Sequence, residues 1–260
     1  MADLVKSTLE LIESVEDRAE SDLSDILMSA MDELATSLKM NGRFTSLPVS
    51  STKTMIDKMI DIWAMSVDGE AEILQGEFKN VFMPLESKQD RAVELQRIID
   101  NYFAQFGSTR VLNVIQHTEN QARNFINKGM MSGRSQEETL KLFIDSIPQV
   151  ASNRAKVITG TEAHTITQFA SQILAERSET VLAKIWNTAA DGKVRGFPAS
   201  SAASAFNHRA MNKIKAVLKQ KFLIPRGNGG IEALLFPGDP SGSAGNVINC
   251  RCVQTFERTG

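Results

Sequence analysis

Apolar residues recur at three- and four-residue steps through the first 150 residues, and this spacing constrains the fold more than any other feature of the chain. The longest run extends from Leu4 to Leu38, with acidic residues between the apolar positions. Apolar residues at this spacing line one face of an α-helix, so the run predicts an amphipathic helix or a pair of helices. Asn41-Gly42 and Pro48 are expected to end it. The first 150 residues are therefore predicted to be helical.

Four further helices are predicted before residue 150. Their apolar residues keep the same spacing, and Gly, Pro and capping residues separate them. The clearest start signal is Ser135 to Glu138, because a serine followed three residues later by a glutamate forms a capping box. The predicted segments are a helix capped at Ser50 to Thr52, with apolar residues from Met55 to Phe82 and an end at Pro84, then Ser87 to Phe106, Ser108 to Gly129, and the capped helix from Ser135 to Pro148.

Short strands and turns replace the helices after residue 150. One more helix is predicted first, over residues 153–175. Apolar and polar residues alternate from Val181 to Trp186, which predicts a strand. Asp191-Gly192 before Val194 is typical of a hairpin turn. Pro198 to Ala205 is predicted to be a low-complexity loop.

The end of the chain alternates short apolar runs with turn residues. Phe222 to Pro225 is strand-like, and Gly227 to Gly230 is a turn. Val247-Ile248 with Val253 predicts a short strand that Asn-Cys-Arg-Cys interrupts. Two turn dipeptides, Pro237-Gly238 and Asp239-Pro240, precede that strand.

The charge distribution supports a boundary near residue 150. Residues 1–150 carry 15 Lys and Arg against 24 Asp and Glu, a net charge of −9, whereas residues 151–260 carry 14 against 7, a net charge of +7. We therefore predict an α+β fold in two domains. A predominantly α-helical, acidic N-terminal region, residues 1–150, precedes a small, basic C-terminal α+β domain with short strands, residues 151–260.

Composition favours a globular protein that is made and kept inside a cell. Apolar residues make up 42% of the chain without forming a membrane span, and the acid-rich N-terminus does not resemble a signal peptide. Cys250 and Cys252 are too close in sequence to close a useful disulfide loop, which fits a reducing compartment.

From Met1 to Glu33 there are ten acids and two bases. These acids favour a solvated helix face, and the alternative is an arm that docks on a partner.

Eight ordered sequence blocks lie between about Asn127 and Thr255. They are GMMSGRSQEE, RAKVITGTEAHT, KIWNTAADGKVR, FNHRAMN, KFLIP, GGIE, PGDPSGSAGNVINCRC and VQTF. Their order and spacing resemble the Mu F-like head-morphogenesis, or minor capsid, family of tailed phages. The resemblance assigns a structural role to the motif positions Glu162, Trp186, Arg195, His208, Pro237, Gly238, Asp239, Asn249, Cys250, Arg251 and Cys252.

This resemblance implies a function in phage head assembly. A family member is a low-copy structural protein of the virion, made in the host cytoplasm, that associates with the portal protein in the capsid interior near the portal vertex. The resemblance further implies non-specific contact with double-stranded DNA during packaging or ejection, and it is compatible with a homo-oligomer on the portal. It implies no membrane partner, no cofactor and no established catalytic centre.

A basic stripe between Gly192 and Ile231 is the candidate DNA-binding surface. This segment holds eight Lys and Arg and no acid. Such residues neutralise phosphates, and each contact makes affinity fall with salt. The alternative is a solvated basic face, since few aromatic residues are interleaved. The members of the stripe are Lys193, Arg195, Arg209, Lys213, Lys215, Lys219, Lys221 and Arg226.

An enzyme is the rival hypothesis for the C-terminal domain. His208 with the segment from Asn249 to Cys252 is a candidate site for a nuclease or a toxin-related transferase. A nuclease normally needs carboxylates to hold a metal ion, yet residues 151–260 contain only seven scattered acids. We therefore predict neither hydrolytic nor transferase activity.

A structural metal is the third hypothesis. Cys250 and Cys252 are expected on the same face of a strand, and His208 offers a third ligand. Structural zinc sites use four ligands, so His164 or a residue of a partner protein would have to complete the shell. Two buried thiols that pack the domain without a metal are the favoured interpretation. His117 is expected on the surface.

Overall fold

The structure is a computed structural model that describes residues 2–43, 45–78, 88–178, 182–196 and 205–258. Helices form most of the chain up to Glu176 and antiparallel strands follow, which confirms the predicted α+β class. The helices are α1 Ala2–Asn41, α2 Val49–Phe78, α3 Lys88–Tyr102, α4 Ser108–Met131, α5 Gln136–Glu176 and α6 Ala244–Val247. The strands are β1 Leu182–Thr188, β2 Lys215–Val217, β3 Phe222–Pro225, β4 Ile231–Leu234 and β5 Cys252–Arg258. Among the helices described, none is long and apolar enough to cross a membrane.

The chain forms two compact units. The first unit contains Met1–Val15, Trp63–Tyr102 and Gly160–Gly260, and the second contains Glu16–Ile62 and Phe103–Thr159. Residue 150, where the charge split predicts a boundary, lies inside α5. Every strand within the described residues belongs to the first unit.

Several helix ends in the second unit lie where the sequence predicts them. A single helix, α1, covers the first apolar run and ends at Asn41, just before Gly42 with its positive φ of 65°. The capping box is present as predicted: the Glu138 N–H donates to Ser135 Oγ at 3.1 Å, and the Ser135 N–H donates to Glu138 Oε2 at 2.9 Å. The predicted end at Pro84 lies outside the described residues.

Between residues 88 and 131 one predicted helix start is confirmed and two predicted helix ends are wrong. α4 begins at Ser108 as predicted, but α3 ends at Tyr102 instead of Phe106, and a π-helical turn, Phe103–Gly107, leads directly into α4. Gly129 does not end α4, which continues to Met131. A Cβ at Gly129 would lie 2.1 Å from Cγ2 of Thr139 on α5. This glycine therefore permits a close helix–helix approach instead of a helix end.

The predicted break at Pro148 is also wrong. The helices predicted to end at Pro148 and to start at Asn153 are one helix, α5. Proline removes the hydrogen bond to the carbonyl four residues earlier, here that of Ile144. Pro148 and Ile144 are both exposed, so water can hydrate that carbonyl and the helix tolerates the proline.

The first unit contains a three-stranded antiparallel sheet in the order β2-β1-β5. β1 is central: it pairs with β5 from Leu182↔Arg258 to Thr188↔Cys252 and with β2 around Lys184↔Ala216. The predicted hairpin after Asp191-Gly192 is wrong, because the chain turns there without forming a strand at Val194. β1 instead pairs with β2 and β5, two strands that lie much later in the chain, and therefore occupies the centre of the sheet.

The remaining strands form a separate hairpin. β3 and β4 pair from Phe222↔Leu234 to Pro225↔Ile231, and the predicted turn lies between them. The strand predicted at Val247-Ile248 is wrong, because Val247 ends the short helix α6 and β5 begins only at Cys252. The loop predicted from Pro198 lies outside the described residues, apart from Ala205.

Candidate functional site

The site is built where α5 passes beneath the C-terminal segment in the first unit. Residues 161–172 of α5 are all buried. Thr161, His164 and Gln168 follow one another at steps of three and four, so they share one face of the helix. The Asn249 N–H donates to Thr161 Oγ1 at 3.3 Å, His164 Nε2 lies 2.6 Å from the Cys252 carbonyl oxygen, and the Gln254 N–H donates to Gln168 Oε1 at 2.6 Å.

Three buried side chains converge at the start of β5. Nδ1 of His208 lies 3.6 Å from Sγ of Cys250 and 3.5 Å from Sγ of Cys252. The opposite ring nitrogen of His208 is hydrogen-bonded to Oδ1 of the buried Asn246. Trp186 packs edge-on against the His208 ring at 5.5 Å between centroids. Cys250 precedes β5 and Cys252 opens it, so the two thiols do not lie on one strand as predicted, although both contact the same histidine.

The two thiols differ in acidity. Burial raises the pKa of Cys250, but a hydrogen bond with Cys252 and the neighbouring His208 and His164 outweigh burial and hold that pKa well below the usual range. Burial and the proximity of Cys250 raise the pKa of Cys252 well above the usual range. The pKa values of these two neighbouring thiols therefore shift in opposite directions.

The Pro-Gly-Asp-Pro turn supports this arrangement from the other side. Asp239 is buried, accepts the Leu235 N–H at 2.7 Å through Oδ2, and accepts the Ser241 N–H at 2.9 Å through Oδ1. Gly238 has a φ of +77°, and a Cβ there would lie 2.5 Å from Nδ1 of His164. Only glycine fits both the backbone conformation and the approach to the imidazole.

Two arginines of the motif organise the same loop. The guanidinium of Arg195 donates to the carbonyl oxygens of Asn246 and Ile248. Arg251 forms an ion pair with Asp191 at 2.6 Å. Arg195, which the sequence also assigns to the basic stripe, therefore stabilises the backbone that carries Asn246.

Glu162 occupies a different part of the first unit. Its Oε2 accepts a hydrogen bond from Trp63 Nε1 at 3.1 Å and lies 3.5 Å from the hydroxyl of Tyr102. Tyr102 also packs edge-on against Phe169 of α5. Glu162 thus links three helices of this unit and does not reach the His208 cluster.

Half of the basic stripe is engaged in bonds within the first unit. Arg195 donates to the carbonyl oxygens of Asn246 and Ile248. Arg209, Lys213 and Lys215 donate to a main-chain carbonyl, an amide oxygen and a carboxylate. Arg209 Nε donates to the Val194 carbonyl at 3.0 Å, Lys213 Nζ to Asn187 Oδ1 at 2.6 Å, and Lys215 Nζ to Glu257 Oε1 at 2.6 Å. These four residues therefore have a structural role within the first unit.

The other half of the stripe faces solvent. Lys193, Lys219 and Lys221 are exposed, and none has a side-chain partner among the residues that the structure describes. Arg226 is exposed too, with its guanidinium 5.1 Å from the centre of the Phe206 ring. His117 is exposed on α4, as predicted.

Sequence reasoning missed two residues of this region, Asn246 and Lys184. Lys184 is fully buried on β1, donates to the Leu235 carbonyl at 2.6 Å, and has a pKa lowered to about 8 chiefly by burial. The only sign of Lys184 in the sequence is its place in the strand-like segment Lys184-Ile185-Trp186, which does not show that its side chain is buried. Asn246 lies among small polar residues that predict a loop, and its bond to His208 depends on the tertiary fold.

Comparison of the chain with protein-family models, with curated proteins and with solved structures found no match.

Proposed function

We propose that this chain is a minor head protein of a tailed phage. It associates with the portal inside the capsid during head assembly and contacts packaged DNA without sequence specificity. The main support is the ordered set of sequence blocks that resemble the Mu F-like family. The geometry adds support, because eight of the eleven motif residues of those blocks are buried and all of them belong to one compact unit.

The DNA contact is proposed for the exposed half of the basic stripe. Lys193, Lys219 and Lys221 are the members without an intramolecular partner among the described residues, so they can bind phosphates without loss of a bond in the protein. Lysine recognises phosphate by charge and carries no sequence information. The predicted binding is therefore non-specific and sensitive to salt.

The rival proposal is an enzyme that uses His208 and the segment from Asn249 to Cys252. The distances from His208 to the two thiols are those of a nucleophile and its base. However, His208 is 1% exposed and Cys252 is 0% exposed, so a macromolecular substrate has no path to either. Metal-dependent DNA cleavage by the purified protein, lost in a His208→Ala variant of native helix content, would favour the enzyme.

Co-purification with the portal tests the proposed function. The chain should be co-expressed with the portal protein of the phage that encodes it, and the mixture separated by size-exclusion chromatography. We expect the chain to elute with portal rings and to be present in purified heads. Separate elution at every salt concentration, together with absence from purified heads, would contradict the proposal.

A further inference from the structure

The His208 cluster has the composition and the spacing of a metal site. The ligand atoms of His208, Cys250 and Cys252 all lie within 4.8 Å of one another, and all three side chains are buried. They come from two segments that lie about forty residues apart in the sequence, so the fold brings them together. Thiolate and imidazole are the ligands that Zn²⁺ prefers in structural sites.

The distances within the cluster match tetrahedral coordination. With Zn–S near 2.3 Å and Zn–N near 2.0 Å, a tetrahedral ion separates sulfur and nitrogen ligands by about 3.5 Å. The observed separations from His208 Nδ1 are 3.6 Å to Cys250 Sγ and 3.5 Å to Cys252 Sγ. Only one of the two contacts can be a full hydrogen bond to Nδ1, because one ring nitrogen has either one lone pair or one proton to share.

The surroundings of His208 hold it in the tautomer that a metal requires. Asn246 Oδ1 accepts a hydrogen bond from Nε2, which leaves the lone pair of Nδ1 directed at the two sulfurs. Asn246 is 0% exposed, and Arg195 binds its main-chain carbonyl. Metal-binding histidines typically donate their other N–H to an oxygen in this way.

His164 lies beside this cluster without belonging to it. Its Nε2 lies 2.6 Å from the Cys252 carbonyl oxygen, so that nitrogen carries the proton. Its Nδ1 faces Gly238, and only the ligand atoms of His208, Cys250 and Cys252 lie within 4.8 Å of one another among the described residues. His164 therefore holds the main chain of one ligand, Cys252, in place.

From this geometry we propose that the chain binds one Zn²⁺ ion through Nδ1 of His208, Sγ of Cys250 and Sγ of Cys252, with water or a residue of a partner protein in the fourth position. The ion is structural. It ties the segment that carries His208 to the start of β5, and its binding free energy adds to the stability of the first unit. The site does not depend on the proposed role in phage heads.

Metal analysis of the purified full chain tests the site. We expect close to one zinc per chain for the wild type by inductively coupled plasma mass spectrometry, and none for Cys252→Ser. The matched control is His117→Ala, which removes an exposed histidine and should leave the zinc content unchanged. Loss of zinc in both variants would contradict the assignment.

Cobalt substitution keeps the test decisive if the cysteine variant fails to fold. The wild-type chain, stripped of metal and titrated with Co²⁺ under reducing conditions, should develop the intense visible bands of tetrahedral cobalt and thiolate-to-cobalt charge transfer. A wild-type chain that lacks zinc and develops neither feature would overturn the proposal.

Discussion

Glu70 is a carboxyl group buried in the core of the first unit, and it makes stability depend on pH. Burial raises its pKa to about 8, against the opposing effect of hydrogen bonds from Ser171 and Thr8. The folded protein therefore holds a proton on Glu70 between about pH 4.5 and pH 8, whereas the unfolded chain releases it. Because the folded state binds the extra proton, stability is highest below this window and falls as the pH rises through it.

Replacement of Glu70 by glutamine should remove this dependence. The wild-type free energy of unfolding should fall, relative to that of Glu70→Gln, by about 1.4 kcal/mol per pH unit between pH 5 and pH 8. Urea denaturation at several pH values measures the difference. The exposed Glu13→Gln serves as the control and should follow the wild type. Parallel curves for wild type and Glu70→Gln would show that Glu70 is ionised in the fold.

Gly238 and Gly229 form a natural pair for testing the site at the residue scale. Both have a φ near +80°, but only Gly238 is in contact with another side chain, that of His164. Gly229→Ala should cost about 1–2 kcal/mol for the left-handed backbone alone. Gly238→Ala should cost more than about 3 kcal/mol, because the methyl group also displaces the imidazole. Equal losses of unfolding free energy in the two variants would mean that the contact with His164 is unimportant.

At the scale of the elements, the contact between α5 and β5 is the feature on which the site depends. Gln168 Oε1 accepts the Gln254 N–H, and the Gln254 side chain donates back to the Gln168 carbonyl at 2.7 Å. Both residues are buried. Gln168→Ala would leave a buried main-chain donor without a partner, and we expect a loss of about 2–3 kcal/mol.

The matched control for Gln168 is Gln149, which lies on the exposed face of the same helix. Gln149→Ala should change the free energy of unfolding by less than about 0.5 kcal/mol. Thermal or urea denaturation provides the comparison. If Gln168→Ala is as stable as Gln149→Ala, the two buried glutamines do not fix β5 on α5.

Local signals predict the elements well, and long-range contacts decide the exceptions. The capping box at Ser135 depends on four consecutive residues, so the sequence predicts it fully. Pro148 and Gly129 are read as helix ends because the sequence does not show that one faces solvent and the other faces Thr139. Asp191-Gly192 predicts a hairpin, but the partners of β1 lie much later in the chain.

The His208 cluster, like the helices and strands, is predictable from the sequence only in part. The closely spaced cysteines and His208 stand out as chemically capable residues, and all three meet in the structure. Asn246, which orients His208, and the buried Lys184 have no local signature. Their roles come from burial and from partners that only the tertiary fold supplies.

At the scale of the whole molecule, the C-terminal segment completes the first unit. β5 pairs with β1 along seven residue pairs, and Asp239, Asn246 and both cysteines precede or belong to β5. A chain truncated before Leu235 loses all of these contacts and exposes the buried face of α5. We expect hydrogen exchange to show loss of protection from Ala183 to Leu223 in that truncation. Native-like protection there would mean that the segment is not required for folding.

The division into units also bears on the charge split. Residues 1–15 and 63–102 belong to the first unit although they lie in the acidic part of the sequence. Charge along the sequence therefore does not by itself identify the surface proposed to contact DNA. Lys193, Lys219 and Lys221 are better candidates, because they are exposed and have no side-chain partner among the described residues.

The most direct test of the proposed DNA contact is retardation of arbitrary duplex DNA by the full chain at two salt concentrations. The decisive variant reverses the charge at Lys193, Lys219 and Lys221 by changing each to glutamate. Its control makes the same change at Lys53, Lys128 and Lys141, three exposed lysines of the second unit. Both variants alter the net charge equally, so they differ only in where the charge is lost.

We predict that the wild type and the control variant bind at low salt, with little dependence on DNA sequence. The first variant should lose most of this affinity, and its dependence of log K on log salt should be shallower by about 3, because each phosphate contact contributes roughly 0.9 to that slope. A wild type that fails to retard DNA at low salt, or two variants that bind equally well, would contradict the account.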